Sequence, residues 1–199
     1  MCLVNQLNSE IAVIATSSAD IALPTPLTTV DEFEQWQRQP GNDGNFEFVR
    51  GRLILKSITQ SKIGVVSFLL RLFVQTTQHQ QHYVLIPATD SYVDDTRKRI
   101  PDLTYFTAEQ RQAIRRGERV STLFAIEILS DSESHQDVLD TIQDYFDGRA
   151  LLVWYVVSIR QKIYAYTFPD HSTVFKGQQT ISASPVIPDF QLIVADLCA

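Results

Sequence analysis

The chain has 199 residues, 44% of them hydrophobic, which suits one globular domain with a buried core and leaves too little length for two. Its formal net charge of −6 argues against a general nucleic-acid-binding protein. A local basic patch that binds nucleic acid is still compatible with this net charge. Cys2 and Cys198 fit neither zinc-ligand spacing nor a disulfide framework, and there is no signal peptide or bilayer-length apolar run, so we expect a cytoplasmic protein.

The N-terminal part of the sequence predicts an arm, a helix and a strand pair. Residues 1–27 end in two prolines, so we interpret them as an arm and residues 28–199 as the domain. A hydroxyl cap at 28–29, followed three residues later by an acid, predicts a short helix that ends near residue 40. Residues 46–50 and 52–56 have strand composition, and Gly51 between them predicts a hairpin or a bulged pair.

The middle of the chain predicts a core helix followed by short strands. Apolar residues recur at helical spacing from Ser61 to about His79. Residues 83–86 and 91–93 have strand composition, and the charged residues 94–99 predict a hairpin loop that leads into a strand at Asp102. A polar helix is predicted between Thr107 and Gly117.

Residues 124–130 predict a strand that is buried on both faces and carries one acid, Glu127. An unpaired buried carboxylate is costly, so we expect a cation, a hydrogen-bond network or a metal ion beside it. A helix capped by Ser132 or Ser134 follows and ends at Gly148. The next strand, residues 151–157, then predicts a parallel crossover, and the remaining residues predict an antiparallel extension.

Each acid and each basic cluster also has a purely structural interpretation. Glu47 on an alternating strand fits a solvated side chain, and Asp102 after a proline fits a turn cap at the start of a strand. Glu127 fits an ion pair with Arg99 or Arg52. The basic clusters at 97–99 and 115–119 fit solvated loops and helix ends, although the first stands close enough in sequence to Asp102 to touch a phosphate backbone.

Four short motifs occur in an order that points to a family. They are Phe46-Glu47-Phe48-Val49-Arg50-Gly51-Arg52-Leu53, Arg99-Ile100-Pro101-Asp102, Ile126-Glu127-Ile128-Leu129-Ser130, and the aromatic pair Tyr145 and Trp154. Together they resemble the Uma2 family of the PD-(D/E)XK nuclease-like superfamily over roughly residues 28 to 198. The resemblance implies an α/β fold with a restriction-endonuclease-like core, in which helices flank a mixed central sheet and an antiparallel extension follows.

The resemblance also implies metal-dependent hydrolysis of phosphodiester bonds in nucleic acid. It assigns Glu47, Asp102 and Glu127 as catalytic acids, with Asp102 and Glu127 as ligands of Mg²⁺ or Mn²⁺. The family's lysine on the following helix falls on Thr141, and residues 121–160 contain no lysine. Asp131 stands where the family tends to have proline.

The missing lysine leaves three functions open. A threonine supplies no cation, so an endonuclease with Thr141 is expected to be impaired unless Lys56 or Lys62 reaches the site from elsewhere. The acidic net charge and Thr141 favour a non-catalytic module that keeps the nuclease fold for binding or assembly. Apolar C-terminal strands favour a structural dimer subunit. We expect a homodimer, with nucleic acid as a partner and no membrane.

Overall fold

The computed structural model describes residues 26–56, 59–129 and 134–198. Residues 1–25, which make up nearly all of the predicted arm, lie outside the described residues, as does Ser132. The elements in chain order are α1 (Val30–Gln37), β1 (Phe46–Val49), β2 (Arg52–Leu55), α2 (Gln60–Phe73), α3 (Thr77–Gln80), β3 (Val84–Pro87), β4 (Ser91–Asp94), β5 (Arg97–Arg99), β6 (Leu103–Phe106), α4 (Ala108–Arg115), β7 (Phe124–Ile128), α5 (His135–Asp147), β8 (Leu152–Val157), β9 (Lys162–Phe168), β10 (His171–Lys176), β11 (Thr180–Ala183) and β12 (Ile187–Ile193). Short 3₁₀ turns at Ser158–Arg160 and Val194–Cys198 complete the described fold.

The larger sheet has six strands in the order β10-β9-β8-β7-β6-β3. The β7–β8 pair is parallel and the other pairs are antiparallel, so the sheet is mixed, as predicted. Helix α5 makes the crossover between the two parallel strands. The predicted α/β architecture is therefore confirmed.

The apolar alternation of β7 fixes what lies on each face of this sheet. Phe124, Ile126 and Ile128 belong to the main core, which also includes side chains of α2 and of the C-terminal strands. Ala125 faces a smaller cluster that contains Ile142 of α5. Every residue of β7 is buried, which confirms that neither face of this strand meets water.

A second, four-stranded sheet has the order β2-β1-β5-β4 and is entirely antiparallel. Helix α1 covers it, with Phe33 stacked on Phe48 at 5.3 Å between ring centroids. The Thr29 capping box that starts α1 is formed with Glu32, as the sequence predicts. The chain passes from this sheet into the larger one between β5 and β6, through residues 100–102. Asp102 therefore lies at the junction of the two sheets.

Two predicted elements differ from those observed. The single helix predicted from Ser61 to His79 is two helices, α2 and α3, because the Thr76 hydroxyl accepts from the backbone N–H of His79 and caps a new helix. The loop predicted at 94–99 is a hairpin, β4–β5, and the predicted solvation of residues 97–99 is wrong because all three are buried. Their buried acidic partners are described below. The predicted antiparallel C-terminal extension is confirmed in β9 to β12.

None of the helices in the described part of the chain combines the length and the apolarity needed to cross a bilayer.

Candidate active site

The β6–β7 register brings two of the predicted acids together. Leu103 pairs with Ile126 in this antiparallel ladder, so Asp102, one residue before β6, stands across from Glu127. The backbone N–H of Ile128 donates to Asp102 Oδ2 at 2.7 Å, which ties the carboxylate directly to β7. Two acids that are far apart in sequence thus share one place at the junction of the sheets.

Glu127 is the most buried of the three predicted acids, with 1% of the residue exposed. The Tyr145 hydroxyl donates to its Oε1, and Lys56 Nζ lies 3.0 Å from its Oε2. Burial raises the pKa of Glu127 to about 7, because the attraction of Lys56 is opposed by the negative charges of Asp102 and Glu47. The predicted ion pair with an arginine is therefore replaced by a pair with a lysine.

Asp102 is held by a different lysine. Lys62 Nζ, from the first turn of α2, lies 3.1 Å from Oδ1 and 2.9 Å from Oδ2. Both side chains are largely buried, with 7% of the Lys62 side chain and 9% of the Asp102 side chain exposed. The carboxylate therefore has a cationic partner for both oxygens, and the interpretation of Asp102 as only a turn cap is insufficient.

Glu47 lies on β1 and is buried, so the solvated interpretation of this acid is wrong. Its Oε1 accepts from the backbone N–H of Ile100 at 2.9 Å, and its Oε2 accepts from Arg99 Nη1 at 2.9 Å. Burial raises the pKa of Glu47, but the charges of Lys56 and Arg99 and these hydrogen bonds lower it by more, so the net pKa lies below its ordinary value. Glu47 therefore remains an anion beside the other acids.

Lys56 connects two of the acids. Its Nζ lies 3.7 Å from Glu47 Oε1 as well as 3.0 Å from Glu127 Oε2. Burial lowers the pKa of the Lys56 ammonium, but Glu127 and Glu47 raise it well above its ordinary value. The site thus holds a permanent positive charge that comes from the end of β2.

Buried ion pairs with Asp144 of α5 hold the arginines that contact this site. Arg99 donates to Asp144 Oδ2 through Nε at 2.8 Å and Nη2 at 2.6 Å, while its Nη1 holds Glu47. Arg97 Nη1 donates to Asp144 Oδ1 at 2.6 Å. Arg97 and Arg99 of the basic segment, for which contact with a phosphate backbone was the alternative to solvation, are thus paired with buried carboxylates of the protein itself.

The sequence offers Glu127 only Arg99 or Arg52 as partners and indicates none for Glu47 or Asp102. Lys56 and Lys62 are candidate cations without a predicted contact, Tyr145 enters only through the motif that it shares with Trp154, and Asp144 has no predicted role. A signal for Asp144 exists only once residues 97–99 are known to form a buried strand, because three consecutive buried basic residues require acidic partners somewhere in the fold.

Thr141 lies on α5, half-buried, one turn before Tyr145. Residues four apart on a helix share a face, so position 141 is on the side from which Tyr145 reaches Glu127. Helix α5 contains no lysine or arginine. The helix that carries the family's lysine therefore brings no cation to the acids.

The chemistry of the donors is compatible with a divalent metal ion. Asp102 and Glu127 supply hard oxygen ligands, and one or two carboxylates completed by water and substrate are a common Mg²⁺ site. The same oxygens already accommodate the ammonium groups of Lys62 and Lys56, so this place tolerates positive charge. Within the described ranges, however, no group of three or more His, Cys, Asp or Glu residues is arranged to hold a metal ion.

Comparison with known proteins agrees with this architecture. A solved structure described as "a putative nuclease belonging to DUF820" from Anabaena variabilis ATCC 29413 matches with a TM-score of 0.70 and 20% sequence identity. The match covers 85% of this chain and 97% of that chain, and it shows that the fold is shared. No curated protein sequence matches significantly. A family model described as "Putative restriction endonuclease" matches residues 30–195, and the chain therefore belongs to the Uma2 family.

Proposed function

We propose that the protein is a metal-dependent endonuclease that hydrolyses phosphodiester bonds of nucleic acid, with Asp102 and Glu127 holding Mg²⁺ or Mn²⁺. The observation that carries this proposal is the β6–β7 register, which sets the buried carboxylate of Glu127 opposite the largely buried carboxylate of Asp102. Membership of a family described as restriction endonucleases and the fold shared with a described nuclease support the same class of reaction. We propose the whole of residues 28–199 as the catalytic domain.

The residues of the chain have separate tasks in this proposal. A bound metal ion would lower the pKa of water and neutralise charge that develops on the phosphate. Tyr145 and the backbone N–H of Ile128 orient the two metal-binding carboxylates. Glu47 is the third acid, and it acts on the site by holding positive charge near Glu127 through Lys56. Burial excludes water from these contacts and strengthens them.

Because position 141 is a threonine, the expected rate of phosphodiester cleavage depends on whether a positively charged side chain from elsewhere reaches the site. The hydroxyl of Thr141 has no positive charge to offer a phosphate oxygen, and loss of one preorganised contact of this kind typically costs ~10² to 10³ in rate. Cleavage is therefore impaired to that degree unless a lysine outside α5 acts in its place.

A non-catalytic module for binding or assembly is the second candidate function. It is favoured by the pairing of Asp102 with Lys62 and of Glu127 with Lys56, which makes the acids part of a self-contained ionic network. In either case we propose a cytoplasmic homodimer with nucleic acid as the partner.

A crystal soaked in MnCl₂ tests the first candidate directly. The proposal expects anomalous density between Asp102 and Glu127, and it expects nicking of supercoiled plasmid that Glu127→Gln abolishes. Manganese bound elsewhere, or cleavage that persists in Glu127→Gln, would refute the assignment of these acids. Manganese between the acids without cleavage of DNA or RNA would support the non-catalytic candidate.

A further inference from the structure

We propose that Lys56 is the catalytic cation of this site and supplies from the end of β2 the charge that α5 does not supply at Thr141. This inference rests on the proposed function. The inference adds Lys56 to the residues that the family pattern contains. It also explains how a site of acidic residues can have a cation although α5 carries no lysine.

The first support is the position of the ammonium group. Lys56 Nζ is within hydrogen-bonding distance of Glu127 Oε2, at 3.0 Å, and 3.7 Å from Glu47 Oε1. Its side chain is only 16% exposed, so the group is mostly shielded from water. A charge placed in this way is worth far more to a developing anion than a solvated surface lysine.

The backbone around Lys56 fixes that position. The N–H of Lys56 donates to the carbonyl of Asn45 at 2.8 Å, which extends the β1–β2 pairing beyond its last ladder residues. Glu47, on the facing strand, is itself held by Arg99 and by the N–H of Ile100. The anchor that holds the ammonium is therefore rigid and independent of Glu127.

Helix α5 and Lys56 reach the two oxygens of the same carboxylate. Helix α5 already reaches Glu127 Oε1 through Tyr145, and Thr141 lies on the same helix face one turn earlier. Lys56 occupies the other oxygen, Oε2. A lysine at 141 and the lysine at 56 are thus alternative sources of one charge.

Lys62 fits this role less well than Lys56 does. It contacts both oxygens of Asp102, so a metal ion that binds Asp102 must displace it. Lys56 contacts only one oxygen of Glu127 and keeps Glu47 as a partner when that oxygen is used by a metal. Lys56 therefore still has an anionic partner when a metal ion uses that oxygen.

The reaction needs no proton from Lys56. Hydrolysis forms one bond from a water oxygen to phosphorus and breaks one bond from phosphorus to the leaving oxygen. The attacking water loses a proton to solvent, and the leaving oxygen gains one from solvent. Lys56 stays an ammonium throughout and donates hydrogen bonds to the phosphate oxygen on which negative charge increases.

The test compares Lys56→Met, Thr141→Lys and the double variant with wild type in a plasmid-nicking assay with Mn²⁺. Lys176→Met, at the exposed end of β10, is the matched control. We expect Lys56→Met to nick ~10² to 10³ more slowly, and Thr141→Lys to restore most of that loss in the double variant. Thermal melts check folding, and Mn²⁺ binding measured by electron paramagnetic resonance should be retained in Lys56→Met.

Several results would overturn the inference. Unchanged nicking by Lys56→Met would do so, as would a double variant that is as slow as Lys56→Met. If Lys56→Met fails to fold, the nicking rate of Thr141→Lys alone decides. A rate equal to that of wild type supports the role of Lys56, whereas a large gain over wild type shows that Lys56 supplies no effective charge.

Failure of the proposed function gives a different pattern. An inactive wild type that becomes active with Thr141→Lys leaves the endonuclease proposal standing and overturns only the role of Lys56. An inactive wild type that stays inactive with Thr141→Lys overturns both, whether or not Mn²⁺ binds.

Discussion

Replacing Lys62 by methionine tests whether the lysines and a metal ion compete for the same carboxylates. The substitution keeps an unbranched side chain only one atom shorter but leaves Asp102, whose side chain is 9% exposed, without this cation. Removing one partner of a buried pair typically costs about 3–5 kcal/mol. The lower value, ~3 kcal/mol, applies here because the N–H of Ile128 continues to donate to Asp102. For a domain of this size the melting temperature should fall by roughly 6–12 °C without metal.

The same substitution should tighten metal binding. A metal ion in wild type must displace an ammonium that is hydrogen-bonded to both oxygens of Asp102, and a hydrogen bond between charged groups contributes roughly 1.5–3 kcal/mol. Because 1.4 kcal/mol corresponds to a tenfold change, Lys62→Met should bind Mn²⁺ roughly 10- to 100-fold more tightly than wild type in isothermal titration calorimetry. Saturating Mn²⁺ at about 100 times the dissociation constant should then restore about 2.7 kcal/mol of stability.

Lys98 offers the matched control for this experiment. It is also a buried lysine paired with an acid, with its Nζ 2.9 Å from Asp90 Oδ1, and it lies over the ring of Phe33. Lys98→Met should destabilise the protein without changing the affinity for Mn²⁺. The competition is refuted if Lys62→Met binds Mn²⁺ no more tightly than Lys98→Met does.

Three further predictions concern the carboxylates. Mn²⁺ should raise the melting temperature of wild type, and Asp102→Asn should remove that rise; an identical response in both would place the ion elsewhere. Asp144→Asn leaves Arg97 without a buried anion and leaves Arg99 with Glu47 alone, so it should cost about 3–5 kcal/mol in urea denaturation. Asp140→Asn, on the exposed side of α5, should change stability by less than about 0.5 kcal/mol. Burial raises the pKa of Asp94, but hydrogen bonds from Arg97 and Thr96 lower it further, to about 2 against an ordinary 3.8. The ionised Asp94 carboxylate therefore stabilises the folded state above pH 3.8, and this contribution is lost as the pH falls through 2. The difference in unfolding free energy between wild type and Asp94→Asn should shrink between pH 5 and pH 2. A difference that stays constant over this range would contradict the assignment.

The elements that were predicted correctly depend on neighbours in sequence. The capping box at Thr29 uses a partner three residues away and is formed, and the polar helix predicted from Thr107 is α4. The buried strand around Glu127 follows from alternation within a few residues, and the parallel crossover to β8 follows from the strand, helix, strand order. These features require no knowledge of distant contacts.

The site depends on contacts that no local pattern contains. Lys56 and Glu127 are 71 residues apart, and Arg99 stands 52 residues from Glu47 and 45 from Asp144. A basic strand is predicted to be solvated unless its acidic partners are known, and that is why the prediction for residues 97–99 failed. The resemblance to a family located the three acids, but it gave no information about lysines that the family pattern lacks.

The buried network has little net charge before any ligand binds. Four carboxylates are connected through short contacts to four cationic side chains, namely Glu47, Asp102, Glu127 and Asp144 with Lys56, Lys62, Arg97 and Arg99. A divalent ion added to this set introduces excess positive charge in a region where low dielectric makes such charge costly. The excess is relieved either when Lys62 turns out toward solvent or when an anion such as a phosphodiester arrives. Because metal and phosphate each supply the charge that the other requires, an endonuclease built on this network binds the two together more strongly than either alone.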